Sequence, residues 1–327
     1  MRTTSLIALL VLAACSAEKP AAKNDTTGVS AIPALGPGEA RLPVSDGEIW
    51  YKESGTGTGT PVILLHGGPG FSSYYFKPLE ALGDDRKVVR YDQLGSGKSS
   101  GFTDTTKITI EHFVRELDSL RAHLGYEKVH IVGHSWGTIL GLEYYRAHPE
   151  HVVSLTLASE ALDIPQWERH ARELLKTLPD SMQNAVRTRE AEKKFDAPDY
   201  QAAIEAFYSK YVWLRPVKTD LDSTMQQVNM TIYNYMQGPS EFTITGTLKK
   251  YDSTPFLKSV KVPTLFTVGE VDEADPVTVR KHAAMTPGAK VVVIPNAAHL
   301  TTWDNPEAMI AAVRAHLRAA DSTAMKK

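Results

Sequence analysis

Ser135 is the residue whose setting asks for chemistry. It sits in Gly133-His134-Ser135-Trp136-Gly137, after the apolar run Val129 to Val132 and before a helix-compatible stretch from Thr138 to Ala147. Glycines on both sides let the chain turn sharply from strand to helix and hold the serine in a strained, exposed position. Its hydroxyl then lies at the carboxyl end of a strand, beside the positive end of a helix. A serine hydroxyl is a weak nucleophile unless a base takes its proton, and that base needs an orienting acid. In parallel sheets ligands gather at the carboxyl ends of strands, so both partners are sought just past the later strands. Thr264 to Val268 is followed by Gly269-Glu270-Val271-Asp272-Glu273, and Val291 to Ile294 by Pro295-Asn296-Ala297-Ala298-His299. Ser135, Asp272 and His299 are therefore the candidate triad: His299 would accept the serine proton and return it to the leaving group, while Asp272 fixes its tautomer. The developing oxyanion needs preorganised donors, which the N–H of Trp136 and that of Gly68, in His66-Gly67-Gly68-Pro69-Gly70, would supply.

The elements that must carry these residues are readable from the apolar pattern. Glu48 to Tyr51 reads as an early strand, followed by a loose hairpin loop at Gly55 to Gly59. Pro61 to Leu65 is a continuous apolar run, as expected of a strand buried on both faces, and Lys87 to Asp92 is another. Ile110, Phe113, Val114, Leu117, Leu120 and Leu124 recur at helical spacing, with Gly125 placed to end that helix. Lys128 to Val132 and Val152 to Ala158 are the next strands. From about 162 to 251 the alternation gives way to charged, aromatic-rich helical segments at Gln166 to Leu178, Tyr200 to Val212 and Asp222 to Met236, a helical cap over the carboxyl edge of the sheet. Strands and helices then resume: a helix around Val277 to Met285, and a last one from about Pro306 to Ala319. The expected architecture is α/β, a mostly parallel sheet with helices on both faces and an inserted cap.

The whole chain has 327 residues, 42% hydrophobic and 23% charged, with a formal net charge of -2. That is room for one large domain with an insertion, and no charge bias that would recruit nucleic acid. Residues 1–14 read as a secretory signal: Arg2, then the apolar Leu6 to Leu12, then Ala13-Ala14. Leu12-Ala13-Ala14-Cys15 resembles the lipobox of bacterial lipoproteins, and Cys15 is the single cysteine of the chain, which leaves no intramolecular disulfide. The expected mature chain starts at a lipidated Cys15, followed by a flexible tether to about residue 42 and the folded domain from 43 to 327. Ser16 points to the outer membrane, periplasmic side, by resemblance to known sorting signals.

Other polar residues carry weaker signals. Gly97-Lys98-Ser99 ends like a phosphate loop, but Asp92 stands where the first glycine is required. His66 and His134 lie in backbone-shaping loops and are read as local hydrogen-bonding groups. With no HExxH and no cysteine cluster, neither a metal nor another cofactor is expected. Trp136 and Trp303 flank triad residues and are candidates to wall the pocket.

These residues resemble a family, the proline iminopeptidases, serine exopeptidases of the α/β-hydrolase fold. The motifs are His66-Gly67-Gly68-Pro69-Gly70, Asp92-Gln93-Leu94-Gly95-Ser96-Gly97-Lys98-Ser99 and Gly133-His134-Ser135-Trp136-Gly137. The later segments Gly238 to Gly246, Gly269 to Glu273 and Ala298 to Thr301 look like the branch of the tricorn-associated prolyl aminopeptidase. The resemblance implies two carboxylates that hold the free α-amino group of the substrate, at Glu241 and Glu273. Phe71 stands where many family members have a further glycine, and His134 where they carry glycine.

The resulting expectation is a lipid-anchored serine aminopeptidase that releases proline, or another small residue, from short peptides through an acyl-enzyme. Two rivals stay open on sequence alone: an amidase or esterase of small amides or esters, and a non-catalytic binding module.

Overall fold

Eight strands form one sheet in the order β1-β2-β4-β3-β5-β6-β7-β8. The computed structural model describes residues 35–324 apart from Thr103. The expected signal, Cys15 and most of the expected tether lie outside the described residues. The strands are β1 (Glu39–Val44), β2 (Gly47–Ser54), β3 (Gly59–Leu65), β4 (Arg86–Asp92), β5 (Val129–His134), β6 (Val152–Ala158), β7 (Thr264–Gly269) and β8 (Lys290–Ile294). β1 pairs antiparallel with β2, and β2 with β4; every pairing from β4 through β8 is parallel.

Two expectations are corrected here. β1 begins at Glu39, so the last four residues assigned to the tether are strand. Gly55 to Gly59 is not a hairpin loop: β4 lies between β2 and β3, and the two never pair. A local apolar pattern marks strands but carries no information on which neighbour each one meets.

The parallel strands are buried on both faces, and alternate side chains serve two cores. Ile63, Leu65, Val89 and Ile131 face one apolar cluster. Val62, Leu64, Val88 and Val132 face the other. The first cluster is closed by α1 (Ile110–His123), α2 (Trp136–Ala147) and, further along the chain, the helix from Pro276 to Met285. α1 is capped by Thr109, whose hydroxyl accepts from His112 N at 3.2 Å, and beyond its end Gly125 adopts φ +71°.

Between β6 and β7 lies the insertion, with α3 (Ile164–Leu175), α4 (Asp180–Glu192), α5 (Pro198–Tyr211), α6 (Lys218–Gln226) and α7 (Met230–Met236). Its neck is stitched by a bridge between Asp163 and Asp252, with Ile164 N donating to Tyr251 O at 3.0 Å and Ser253 N to Leu162 O at 2.9 Å. α3 buries Ile164, Trp167, Ala171 and Leu175, a helical stripe, and is capped by Asp163. α4 had no apolar signature in the sequence because it buries only Val186. Ion pairs hold it instead, Arg172 to Glu190 and Arg189 to Asp199.

The expected helix from Asp222 to Met236 is two helices. Asn229 breaks it, capping α7 through its Oδ1 while its Nδ2 donates to Gly95 O at 2.7 Å and its N–H to Gly70 O at 2.8 Å. One residue, through its side chain and its backbone N–H, thus pins the insertion to two loops at the sheet edge. The fold closes with α8 (Pro276–Met285), α9 (Thr301–Asp304) and α10 (Pro306–Ala324). Among the described residues no helix is long and apolar enough to cross a membrane.

Candidate active site

Ser135 stands at the junction of β5 and α2 with φ 54° and ψ -125°, a conformation that L side chains rarely adopt. The turn is possible because a Cβ on Gly133 would lie 2.2 Å from Gly137 O. Ser135 N donates to Ala158 O at 3.0 Å, tying the elbow to the end of β6. The strain is held in place by its neighbours, as is usual at functional turns.

His299 and Asp272 come from the loops after β8 and β7. His299 Nδ1 lies 2.9 Å from Asp272 Oδ1. The carboxylate can only accept, so Nδ1 carries the proton and Nε2 is left with its lone pair for a hydroxyl proton. Asp272 is fully enclosed: its Oδ2 accepts from Ser159 Oγ at 2.5 Å and from Gly269 N at 3.0 Å, and its Oδ1 from Ala274 N at 2.9 Å. Burial opposes its charge, but His299 and these donors outweigh burial and hold its carboxyl below the usual range. Ser135 and His299 line one pocket. No direct hydrogen bond joins them among the described residues, as is common for catalytic pairs before substrate tightens the contact.

The His66-to-Gly70 loop leaves β3 and passes beside the elbow. Gly68 adopts φ +110°, which a side chain would resist. Neither Gly68 N–H nor Trp136 N–H has a hydrogen-bond partner among the described residues. His134 is buried and neutral. Tyr75 Oη donates to its Nδ1 at 3.0 Å, and its Nε2 donates to His299 O at 2.9 Å. Burial above all, then the nearby His299 charge, pushes its pKa down to about 3. His66 Nδ1 donates to Gly67 O at 2.9 Å and its Nε2 accepts from Gln93 N at 3.0 Å, so both histidines are hydrogen-bonding groups, with partners beyond their own loops.

Glu241 and Glu273 line the same pocket as Ser135 and His299. Glu241 Oε1 accepts from Tyr233 Oη at 2.6 Å and Oε2 from Gln237 Nε2 at 3.2 Å. Glu273 Oε1 is 4.0 Å from His299 Nε2, and its buried Oε2 has no partner among the described residues. Burial raises both carboxyls, and repulsion from Glu241 and Asp272 pushes Glu273 well above the ordinary range. Two carboxylates sharing one pocket, one of them with an unpartnered oxygen, have the chemistry to accept hydrogen bonds from a cationic group.

The pocket is open on one side, with Phe71, Tyr208, Val212, Trp213 and Leu300 as its apolar wall. A smaller recess shares Gly68, Ser135 and Glu241 with this pocket and is otherwise lined mainly by Trp136, Ile139, Ala161, Ile164, Trp167 and Leu248. Trp136 is therefore a wall residue of the recess, whereas Trp303 is half-buried and packs against the second apolar cluster. Trp213 and Trp167, both from the insertion, take the place expected of Trp303.

The phosphate-loop lookalike has another use: Lys98 N–H donates to Asp92 Oδ2 at 2.8 Å, and Lys98 Nζ sits 4.5 Å from the Trp50 ring centroid. Among the described residues one group has metal-ligating density, Asp118, His148 and His151. Its carboxylate is already held by Arg121 Nε at 2.9 Å and Tyr144 Oη at 3.0 Å, and it lies toward the end of α2 opposite Ser135.

Ser159 was missed by sequence reasoning. The available signal was its place one residue past β6, at a carboxyl strand end. Tyr75 and Tyr233 carried no local signal at all.

The chain matches the α/β hydrolase fold family model over residues 60–306. It is 39% identical over 284 residues to a proline iminopeptidase of Heyndrickxia coagulans, covering 84% of this chain and 96% of that protein. It is 31% identical over 262 residues to a proline iminopeptidase of Saccharolobus solfataricus, 79% and 84% of the two chains. Among solved structures it resembles a proline iminopeptidase of Mycobacterium smegmatis, with TM-score 0.80 and 32% identity over 88% of this chain and 99% of that one. VinJ superposes with TM-score 0.82 and 30% identity, covering 86% and 98%.

Proposed function

The chain belongs to the proline iminopeptidase family of the α/β-hydrolase fold, and we infer from that membership how its pocket works. It is a serine aminopeptidase that releases N-terminal proline from peptides. In our reading the substrate ammonium sits between Glu241 and Glu273, and the first carbonyl carbon faces Ser135. His299 Nε2 takes the Ser135 proton as Oγ attacks, and the carbonyl electron pair moves onto oxygen, toward the N–H groups of Gly68 and Trp136. Collapse breaks the peptide C–N bond, and His299 gives its proton to the departing amine. Water, deprotonated by His299, then attacks the prolyl ester and frees proline and Ser135. Asp272 stabilises the imidazolium in both halves.

The observation that carries this reading is the carboxylate pair beside the elbow. A charge-assisted pair fixes a cationic N-terminus and sets the scissile bond one residue in. It also accounts for a free-amine requirement, which a simple esterase pocket has no reason to impose. Glu241→Gln and Glu273→Gln should each lower kcat/KM on a prolyl anilide by about 2 kcal/mol, roughly thirtyfold, since a hydrogen bond to a charged group is at stake. Turnover of an N-blocked substrate should not fall in parallel. Equal losses on free and blocked substrates would overturn the amine-binding role, and undiminished turnover by Ser135→Ala would overturn the mechanism.

We further propose that the enzyme is exported and anchored by a lipid on Cys15. Support comes from the sequence alone: the Arg2-to-Ala14 signal pattern and the lipobox-like Leu12 to Cys15. Palmitate labelling of the full chain that persists in Cys15→Ala would reject the anchor.

A further inference from the structure

Gln93 has no part in the chemistry described above, yet it is buried between the two oxyanion donors, at 1% exposure. Every polar atom of its side chain is used. Its Nε2 donates to His66 O at 3.0 Å, and its Oε1 accepts from the Trp136 indole Nε1 at 2.8 Å. The amide can face only this way, since an indole N–H only donates and a carbonyl only accepts. The backbone N–H of Gln93 donates to His66 Nε2 at 3.0 Å.

That last bond sets the His66 tautomer. With Nε2 accepting, Nδ1 carries the hydrogen and donates to Gly67 O at 2.9 Å. The peptide joining Gly67 to Gly68 is planar, with its C=O and N–H at opposite edges where the unit is trans. Holding the Gly67 carbonyl toward His66 therefore turns the Gly68 N–H away from it. Glycine backbone is otherwise free to rotate, so an outside constraint is needed for this donor to be preorganised. The other end of the same peptide segment is held too: Gly67 N donates to Tyr75 Oη at 2.6 Å.

We propose that Gln93 is a positioning residue of the oxyanion hole. Its backbone N–H holds the His66 ring that orients the Gly67 carbonyl, while its side chain, the part that substitution removes, ties the His66 carbonyl at the start of the Gly68 loop to the Trp136 indole and so fixes the two donor segments relative to each other. The residue type follows from the geometry. Leucine offers neither bond, asparagine is one methylene short, and glutamate loses the donor to His66 O while keeping the acceptor for Trp136. This role rests on the acyl-transfer reading with Gly68 and Trp136 as donors.

Two ligands separate the oxyanion hole from the amine site. Prolinal, the aldehyde of proline, is attacked by Ser135 Oγ; the hydroxyl proton passes to His299, and the aldehyde oxygen becomes the oxyanion of a hemiacetal. Pyrrolidine carries the ring and the amine without a carbonyl and reports the carboxylates alone. In Gln93→Leu, kcat and the affinity for prolinal should fall together by about ten- to hundredfold, the scale expected when an oxyanion donor is misplaced, with pyrrolidine affinity unchanged. Gln93→Glu should show the same split to a smaller degree, and it decides the matter if the leucine variant does not fold. Unchanged prolinal affinity in a folded variant, or equal losses for prolinal and pyrrolidine, would overturn the positioning role. Failure of prolinal to bind the wild-type enzyme more tightly than pyrrolidine would instead overturn the acyl-transfer reading itself.

Discussion

Glu273 Oε1 stands 4.0 Å from His299 Nε2, while the other oxygen of the same carboxylate is buried without a partner among the described residues. The carboxylate proposed to receive the substrate ammonium thus borders the imidazole proposed to move the proton. Two acids crowded into one buried pocket carry a cost that is measurable as stability.

Burial, with repulsion from Glu241 and Asp272, raises the Glu273 carboxyl above its ordinary value. Between the unfolded value of about 4.3 and the raised folded value, the folded chain holds a proton that the unfolded chain has lost. The folded state then binds more protons, so this group makes stability decline as pH rises through that window. Glu273→Gln should abolish the decline. Urea midpoints of the ligand-free enzyme should show the variant gaining on wild type from about pH 4 upward. A gap between them that stays constant with pH would contradict this account.

Ser159 is held at φ 48° and donates to Asp272 Oδ2 at 2.5 Å and to His299 O at 3.2 Å. It lines neither the pocket nor the recess beside Ser135. Ser159→Ala should therefore lower kcat by roughly tenfold while leaving KM in place, and cost about 1.5–3 kcal/mol of stability as a hydrogen bond to a charged group is lost. Steady-state kinetics with chemical denaturation checks both; a KM effect without a kcat effect would assign Ser159 to substrate binding instead.

His134 stays neutral in the fold down to about 3 because burial, and next the His299 charge, oppose its protonation. The unfolded chain protonates it below about 6.5. Here the folded pKa of a base is depressed, so stability is lost as pH falls from about 6.5 toward 3. His134→Gln, which never charges, should flatten this acid limb even if it is less stable at neutral pH. Parallel acid limbs in the two proteins would show that other groups drive acid unfolding.

The parts of the fold legible in the sequence are those where local pattern and burial coincide. Pro61 to Leu65, Val129 to Val132 and Thr264 to Val268 are apolar runs because their strands are buried on both faces. α1 was legible through its stripe and its terminal Gly125. α4 was not, since charge pairs rather than apolar burial hold it, and the break at Asn229 serves contacts with Gly70 and Gly95 that are remote in sequence. The misread hairpin at Gly55 to Gly59 has the same origin: sheet order is a long-range property.

The site divides along the same line. Ser135, Asp272 and His299 could be picked from sequence because each lies within five residues of a strand's carboxyl end, and strand ends are where a parallel sheet gathers reactive groups. Glu241 and Glu273 could be picked only through family resemblance, since an acid in a loop has no local mark of burial. Tertiary structure alone decided that Glu273 keeps an orphan oxygen 4.0 Å from His299 at its other one, that Ser159 locks Asp272 from 113 positions away, and that Gln93 joins the two donor segments. Residue types along the chain determine which groups can react. Hydrogen bonds between distant segments decide where those groups point, and a sequence read locally holds no distances.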